Sequence, residues 1–87
     1  MKMHVSIKLH EFLRRVSDRA FPTFGVSTER VGQALYNELC DVRPDLAARM
    51  RGTDMDPFYA RHVEDVRYQK ALTFIAEEWN DDTTPVA

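Results

Sequence analysis

Two stretches of this chain space their apolar residues in the same helical pattern. The first set is Leu9, Phe12, Leu13, Val16 and Ala20, and the second is Tyr68, Ala71, Leu72, Ile75 and Trp79. Apolar residues at i, i+3, i+4, i+7 and i+11 line one face of an α-helix, which must be buried against another element. The pattern therefore predicts helices over residues 8–20 and about 62–79 that share a core.

Two further helices are predicted between them. Ser27 is placed as an N-cap, and apolar residues continue at helical spacing to Val42, which predicts a helix over about 28–42. Pro44 suits the first turn of a new helix and Gly52 its end, which predicts a short helix over 44–51. A separate turn at 57–61 is expected before the last helix. The predicted fold class is all-α, a small bundle of four or five helices with an extended N-terminal lead-in.

The remaining segments are read as connections and ends. Residues 1–7 alternate apolar and polar side chains, as a β-strand does, and are read as an extended lead-in. Its unpaired edge could pair with that of a second copy in a homodimer. Pro22 and Gly25 break the chain after the first helix, and the phenylalanines of this loop, Phe21 and Phe24, are expected to pack across the core. A single domain is predicted over residues 1–79, with a frayed polar tail at 80–87.

Size and charge exclude several classes of protein. The chain has 87 residues, 44% of them hydrophobic and 30% charged, with a formal net charge of −2. These values are typical of one soluble domain and argue against a nucleic-acid coat protein or a polybasic membrane binder. No apolar run is long enough for a membrane span, and the start lacks the apolar core of a signal peptide, so a cytoplasmic location is expected.

No catalytic residue, cofactor or metal ion is expected. The single Cys40 excludes an intramolecular disulfide and a multi-cysteine zinc site, and its place beside Leu39 suits a small buried hydrophobe. His62 and Asp65 share a helix face, but two ligands do not close a metal site. No glycine-rich elbow or phosphate loop surrounds a serine or cysteine. The chain is therefore predicted not to be an enzyme.

Two electrostatic functions are kept as alternatives. The helices at 28–42 and 44–51 resemble a helix-turn-helix, with Arg43, Arg49 and Arg51 facing nucleic acid, although the connection between them is unusually tight. The same arginines could pair with nearby aspartates instead: Asp41, Asp45, Asp54 and Asp56. An acidic DNA mimic that inhibits a host DNA-binding protein is the second alternative, with carboxylates at 54, 56, 64, 65 and 77–82 standing for phosphates. Twelve basic residues dilute such a field, and nucleic-acid binding is not expected.

The densest group of unusual residues is the segment Arg51–Tyr59, with sequence RGTDMDPFY. As a simple connector, it would use Gly52 and Asp56 as caps, Phe58 in the core, and Arg51 paired with an aspartate. As a presented loop, it would offer arginine and tyrosine, which are favourable interface anchors. A polar strip on the helix over 28–42, formed by Arg30, Gln33 and Asn37, could recruit the same partner or merely hydrogen-bond to this segment. The candidate partner-binding residues are Arg30, Gln33, Asn37, Arg51, Asp54, Asp56 and Tyr59.

The motifs RVGQALYN (30–37), VRPDL (42–46) and RGTDMDPFY (51–59), followed by Trp79, resemble a group of small uncharacterised bacteriophage and prophage proteins. The resemblance covers about 30 central residues and implies no particular chemistry. The chain departs from the group's pattern in the longer stretch 60–70 and in its polar tail. The resemblance implies a phage-encoded, non-enzymatic protein in the cytoplasm of the infected bacterium, where it binds and modulates a host or phage protein.

Overall fold

Four helices make up the fold. The computed structural model describes residues 7–25 and 27–79. The helices are α1 (Leu9–Ala20), α2 (Val31–Val42), α3 (Pro44–Met50) and α4 (Val66–Glu78). The described ranges contain no strand, which confirms the predicted all-α fold class. Of the lead-in and strand edge predicted over residues 1–7, all but Ile7 lie outside the described residues, as does the predicted tail at 80–87.

One core joins all four helices. Leu35 of α2 and Ile75 of α4 are fully buried, as the helical spacing of the apolar residues in each of these helices predicts. The ring of Phe12 in α1 lies 4.9 Å from that of Trp79, between centroids, so the two ends of the described chain meet. The Trp79 indole N–H also donates a hydrogen bond to the Ile7 carbonyl at 3.1 Å. The two stripes recognised in the sequence therefore pack against each other at the end of α4.

The predicted starts of two helices were wrong. Helix α2 begins at Val31 rather than 28, because the Ser27 hydroxyl accepts the backbone N–H of Glu29 in a local turn instead of capping a helix. Helix α4 begins at Val66 rather than 62, because the carboxylate of Asp65 accepts the Arg67 backbone N–H and caps the helix there. The predicted short helix did begin at Pro44. It ends at Met50, and Gly52 follows it with a φ of +75°.

Two burial predictions were also wrong. Phe21 and Phe24 are 65% and 88% exposed, because charged residues rather than aromatic ones close the α1–α2 connection. There the Arg19 guanidinium contacts the carboxylates of Glu29 and Glu38 at 2.8 and 3.0 Å. Cys40 is exposed, since the helical turn of α2 that buries Leu39 points the next residue to solvent.

Candidate functional site

The turn at 57–60 presents one aromatic side chain to solvent. Pro57 and Ala60 are buried, and the Ala60 N–H donates to the Pro57 carbonyl at 2.8 Å. Phe58, predicted to fill the core, is only half-buried, because Pro57 takes the buried position instead. Tyr59 is 68% exposed. The turn is therefore anchored by its outer residues and displays the aromatic pair between them.

Gly32 of α2 allows this turn to lie directly on the helix. Its backbone N–H donates to the Ala60 carbonyl at 3.0 Å. A Cβ at position 32 would overlap the Pro57 carbonyl oxygen and would lie 2.9 Å from the Ala60 Cβ. The close contact of backbone with backbone holds the turn against the start of α2.

Arg30, the N-cap residue of α2, holds the two aromatic rings in place. Its Nε donates to the Phe58 carbonyl at 3.2 Å, and its guanidinium carbon lies 5.0 Å from the centroid of the Tyr59 ring and 5.2 Å from that of Phe58. The Phe58 ring meets Tyr59 edge to face at 5.1 Å and Tyr36 at 5.9 Å. Cation–π and aromatic contacts at these distances are attractive. We call the surface formed by Arg30, Tyr36, Arg51, Phe58 and Tyr59 the Tyr59 face.

Arg51 borders the same face and is not held by a carboxylate. It lines a groove of about 230 Å³ together with Tyr36, Asp56, Phe58 and Tyr59. No carboxylate of the described residues forms an ion pair with it, so the predicted pairing of Arg51 with an aspartate is absent there. Burial raises the pKa of the Tyr36 phenol above its ordinary value, and the positive charge of Arg51 partly opposes this shift.

The two predicted aspartates serve the fold. The Asp56 carboxylate accepts the backbone N–H of Gly52 at 2.7 Å and that of Phe58 at 3.1 Å, which ties the two ends of the loop together. Asp54 lies beside α4 and pairs with Lys70 of that helix at 2.8 Å. Asp56 therefore stabilises the loop that carries the Tyr59 face, and Asp54 does not belong to this face.

The two predicted polar residues of α2 have separate local partners. The Gln33 side-chain oxygen accepts the Arg30 backbone N–H at 3.3 Å and so supports the start of the helix. The Asn37 amide donates to Glu29 at 2.8 Å, within the charged connection between α1 and α2. Neither side chain is bonded to the 51–59 segment. Of the three α2 candidates, Arg30 alone reaches the turn.

The arginines of the helix-turn-helix interpretation are largely engaged. Arg43 forms two hydrogen bonds to Asp45, at 2.9 and 2.7 Å, which lower the pKa of that carboxyl to about 2. Arg49 pairs with Glu78 at 2.9 Å and lies over the Phe74 ring. Helix α3 has only seven residues, and Arg43 is the single residue between it and α2. These contacts leave Arg51 as the one member of the predicted trio without a carboxylate.

The acids of the DNA-mimic interpretation alternate with cations. Asp65 pairs with Arg67 at 3.0 Å, Asp54 with Lys70 at 2.8 Å and Glu78 with Arg49 at 2.9 Å. The described ranges hold no group of three or more histidine, cysteine or acidic side chains placed to bind a metal ion.

Comparison with known proteins finds no matching family model, curated protein or solved structure. Within the described part of the chain, no helix has the length and apolar character needed to span a membrane.

Proposed function

We propose that this protein is a non-enzymatic binding protein that uses the Tyr59 face to bind and modulate another protein. The observation that carries the proposal is Tyr59 itself, a large aromatic side chain that is 68% exposed yet held in place by Arg30 and Phe58. Exposed aromatic residues of a simple connector need no such support.

The composition of the face suits a protein partner. Tyrosine and arginine, together with tryptophan, are enriched among the residues that contribute most to binding energy at protein interfaces. Tyr59 offers a large contact area with few rotatable bonds, and Arg51 offers a guanidinium that can bind a carboxylate through two parallel hydrogen bonds. The groove between them gives a partner side chain a place to enter.

The resemblance to small phage proteins supplies the setting of the proposal. Under it, the partner is a host or phage protein met in the cytoplasm of an infected bacterium. The sequence motifs suggest no reaction that this chain would catalyse, so the proposed effect is that binding itself alters the activity of the partner.

The test compares capture from bacterial lysate by the wild-type protein and by two variants, Arg51→Ala and Tyr59→Ala. A matched control is Phe24→Ala, which removes an even more exposed aromatic ring from the α1–α2 connection. The captured protein is identified by mass spectrometry, purified, and titrated against each variant by calorimetry. We expect either loss on the Tyr59 face to weaken binding by about 2 kcal/mol, roughly thirtyfold, with Phe24→Ala unchanged.

Circular dichroism first establishes that each variant is folded. Full capture by folded Arg51→Ala and Tyr59→Ala would return the segment to the role of a connector and end the proposal. A protein captured equally by every variant would bind elsewhere on the molecule and would not support it.

A further inference from the structure

The arginines of this protein divide into two groups by their partners. Most of the nine form an ion pair with a carboxylate of the described residues: Arg14, Arg15, Arg19, Arg43, Arg49 and Arg67. The other three, Arg30, Arg51 and Arg61, have no ion-pair partner in residues 7–25 and 27–79. The chain has fourteen acidic residues against twelve basic ones, so carboxylates are not in short supply.

The three unpaired arginines border one continuous surface. Arg51 lies in the groove beside Tyr59, and Arg30 lies over the Tyr59 ring. Arg30 also lines a second hollow of about 650 Å³ between the start of α2 and residues 61–64, and Arg61 lines that hollow too. The contact of Arg30 with Tyr59 thus connects two hollows, one lined by Arg51 and the other by Arg30 and Arg61.

We infer that this surface recognises an acidic peptide segment of the partner, in which carboxylates on both sides of an apolar side chain meet Arg51 and Arg61. The inference rests on the proposed function and names the chemistry of its partner. The apolar side chain would pack on Tyr59. Guanidinium groups fit carboxylates through paired hydrogen bonds, and complementary charge raises the rate and specificity of association.

Peptide carboxylates fit this surface better than a run of phosphates does. Glu29 and Glu64 line the larger hollow and Asp56 lines the groove, so each unpaired arginine has a negative charge in its neighbourhood. The acidic residues of a peptide can be separated by uncharged ones, so its carboxylates can contact the guanidinium groups while the rest of the peptide avoids these negative charges. A nucleic-acid backbone would bring closely spaced phosphates against them, and like charges held close together repel.

The test is a fluorescence-anisotropy titration of purified protein with labelled synthetic peptides. One peptide has aspartate and glutamate on both sides of a single tryptophan, and the other replaces every acid by its amide. A single-stranded DNA oligonucleotide is the third probe. The variants are Arg51→Gln and Arg61→Gln, and the matched control is Arg14→Gln, an exposed arginine of α1 that pairs with Glu11 and Asp18.

We expect binding of the acidic peptide, at least tenfold tighter than that of the amide peptide and weakened by added salt. Arg51→Gln and Arg61→Gln should each weaken it about fivefold to tenfold, and Arg14→Gln less than twofold. Absence of binding, equal binding of the amide peptide, or indifference to Arg61→Gln would overturn the inference. Tighter binding of the oligonucleotide, lost in the same variants, would overturn it in favour of phosphate recognition.

This outcome is separable from that of the proposed function. A lysate partner whose binding depends on Tyr59 but not on Arg61 would leave the binding role in place and remove the acidic-segment inference. A partner that binds independently of Tyr59 would remove both.

Discussion

At the scale of single residues, Gly32 is required by a tertiary contact that the sequence does not reveal. It lies within a helix with a negative φ, so its backbone conformation does not require glycine. What requires glycine is the Pro57–Ala60 turn, whose backbone occupies the space of a side chain. That contact joins residues 25 positions apart, and no local pattern in the sequence announces it.

We expect Gly32→Ala to destabilise the protein by about 1–3 kcal/mol or more, because the added methyl meets rigid backbone rather than a mobile side chain. The measurement is urea unfolding followed by the fluorescence of Trp79. Gly52→Ala is the contrasting control: a Cβ there meets nothing within 4 Å, but the φ of +75° imposes a strain of about 1–2 kcal/mol. Both variants should be destabilised, but they should differ in binding, since only Gly32→Ala displaces the turn that carries Tyr59. Wild-type stability in Gly32→Ala would mean that the turn does not rest on α2.

At the scale of elements, the sequence predicts helix phases better than helix starts. Burial of Leu35 and Ile75 follows from a pattern repeated over several turns, so no single residue decides it. A helix start depends on which backbone N–H one side chain accepts. Ser27 and Asp65 both make such bonds, and only the bond of Asp65 caps a helix. That choice is made by the surrounding structure.

Truncation of a buried side chain in α2 or α4 should lower the stability of the protein substantially. Leu35→Ala and Ile75→Ala each remove a fully buried branched side chain, and we expect each to lower the free energy of unfolding by about 2–5 kcal/mol. Val66→Ala, at an apolar position of α4 that is 63% exposed, should change it by less than about 0.5 kcal/mol. Chemical denaturation of the three variants measures this. Equal stabilities in all three would show that the helices are rotated from the positions described.

The candidate site was predictable only where its residues are adjacent in the sequence. The segment Arg51–Tyr59 stands out because turn residues, charges and aromatic rings are adjacent in the sequence. Arg61 does not stand out. Whether an arginine is paired depends on carboxylates brought close by folding, as the bond of Arg49 to Glu78 illustrates. Arg30 was a candidate as part of a polar strip, yet its role is to hold Tyr59.

At the scale of the whole molecule, charge pairing bears on nucleic-acid binding. With Arg43 and Arg49 held by carboxylates, a duplex would have to break two ion pairs to gain two phosphate contacts. We therefore expect no nanomolar binding of duplex DNA at physiological salt, where specific binders reach roughly 10⁻⁸–10⁻¹¹ M. Fluorescence anisotropy over a range of salt concentrations measures this. Nanomolar binding that Arg49→Ala abolishes would restore the helix-turn-helix interpretation.

The stacking of Arg30 on Tyr59 also has a kinetic consequence. An exposed arginine or tyrosine side chain that rotates freely loses this freedom when a partner immobilises it, and the lost entropy weakens binding. Here the loss has already occurred during folding, because the Phe58 carbonyl and two rings hold Arg30, and Arg30 in turn holds Tyr59. A partner would meet a surface already in its bound shape, so association should proceed in one step without slow rearrangement. Differences among variants of this surface should then lie mainly in how long the complex lasts.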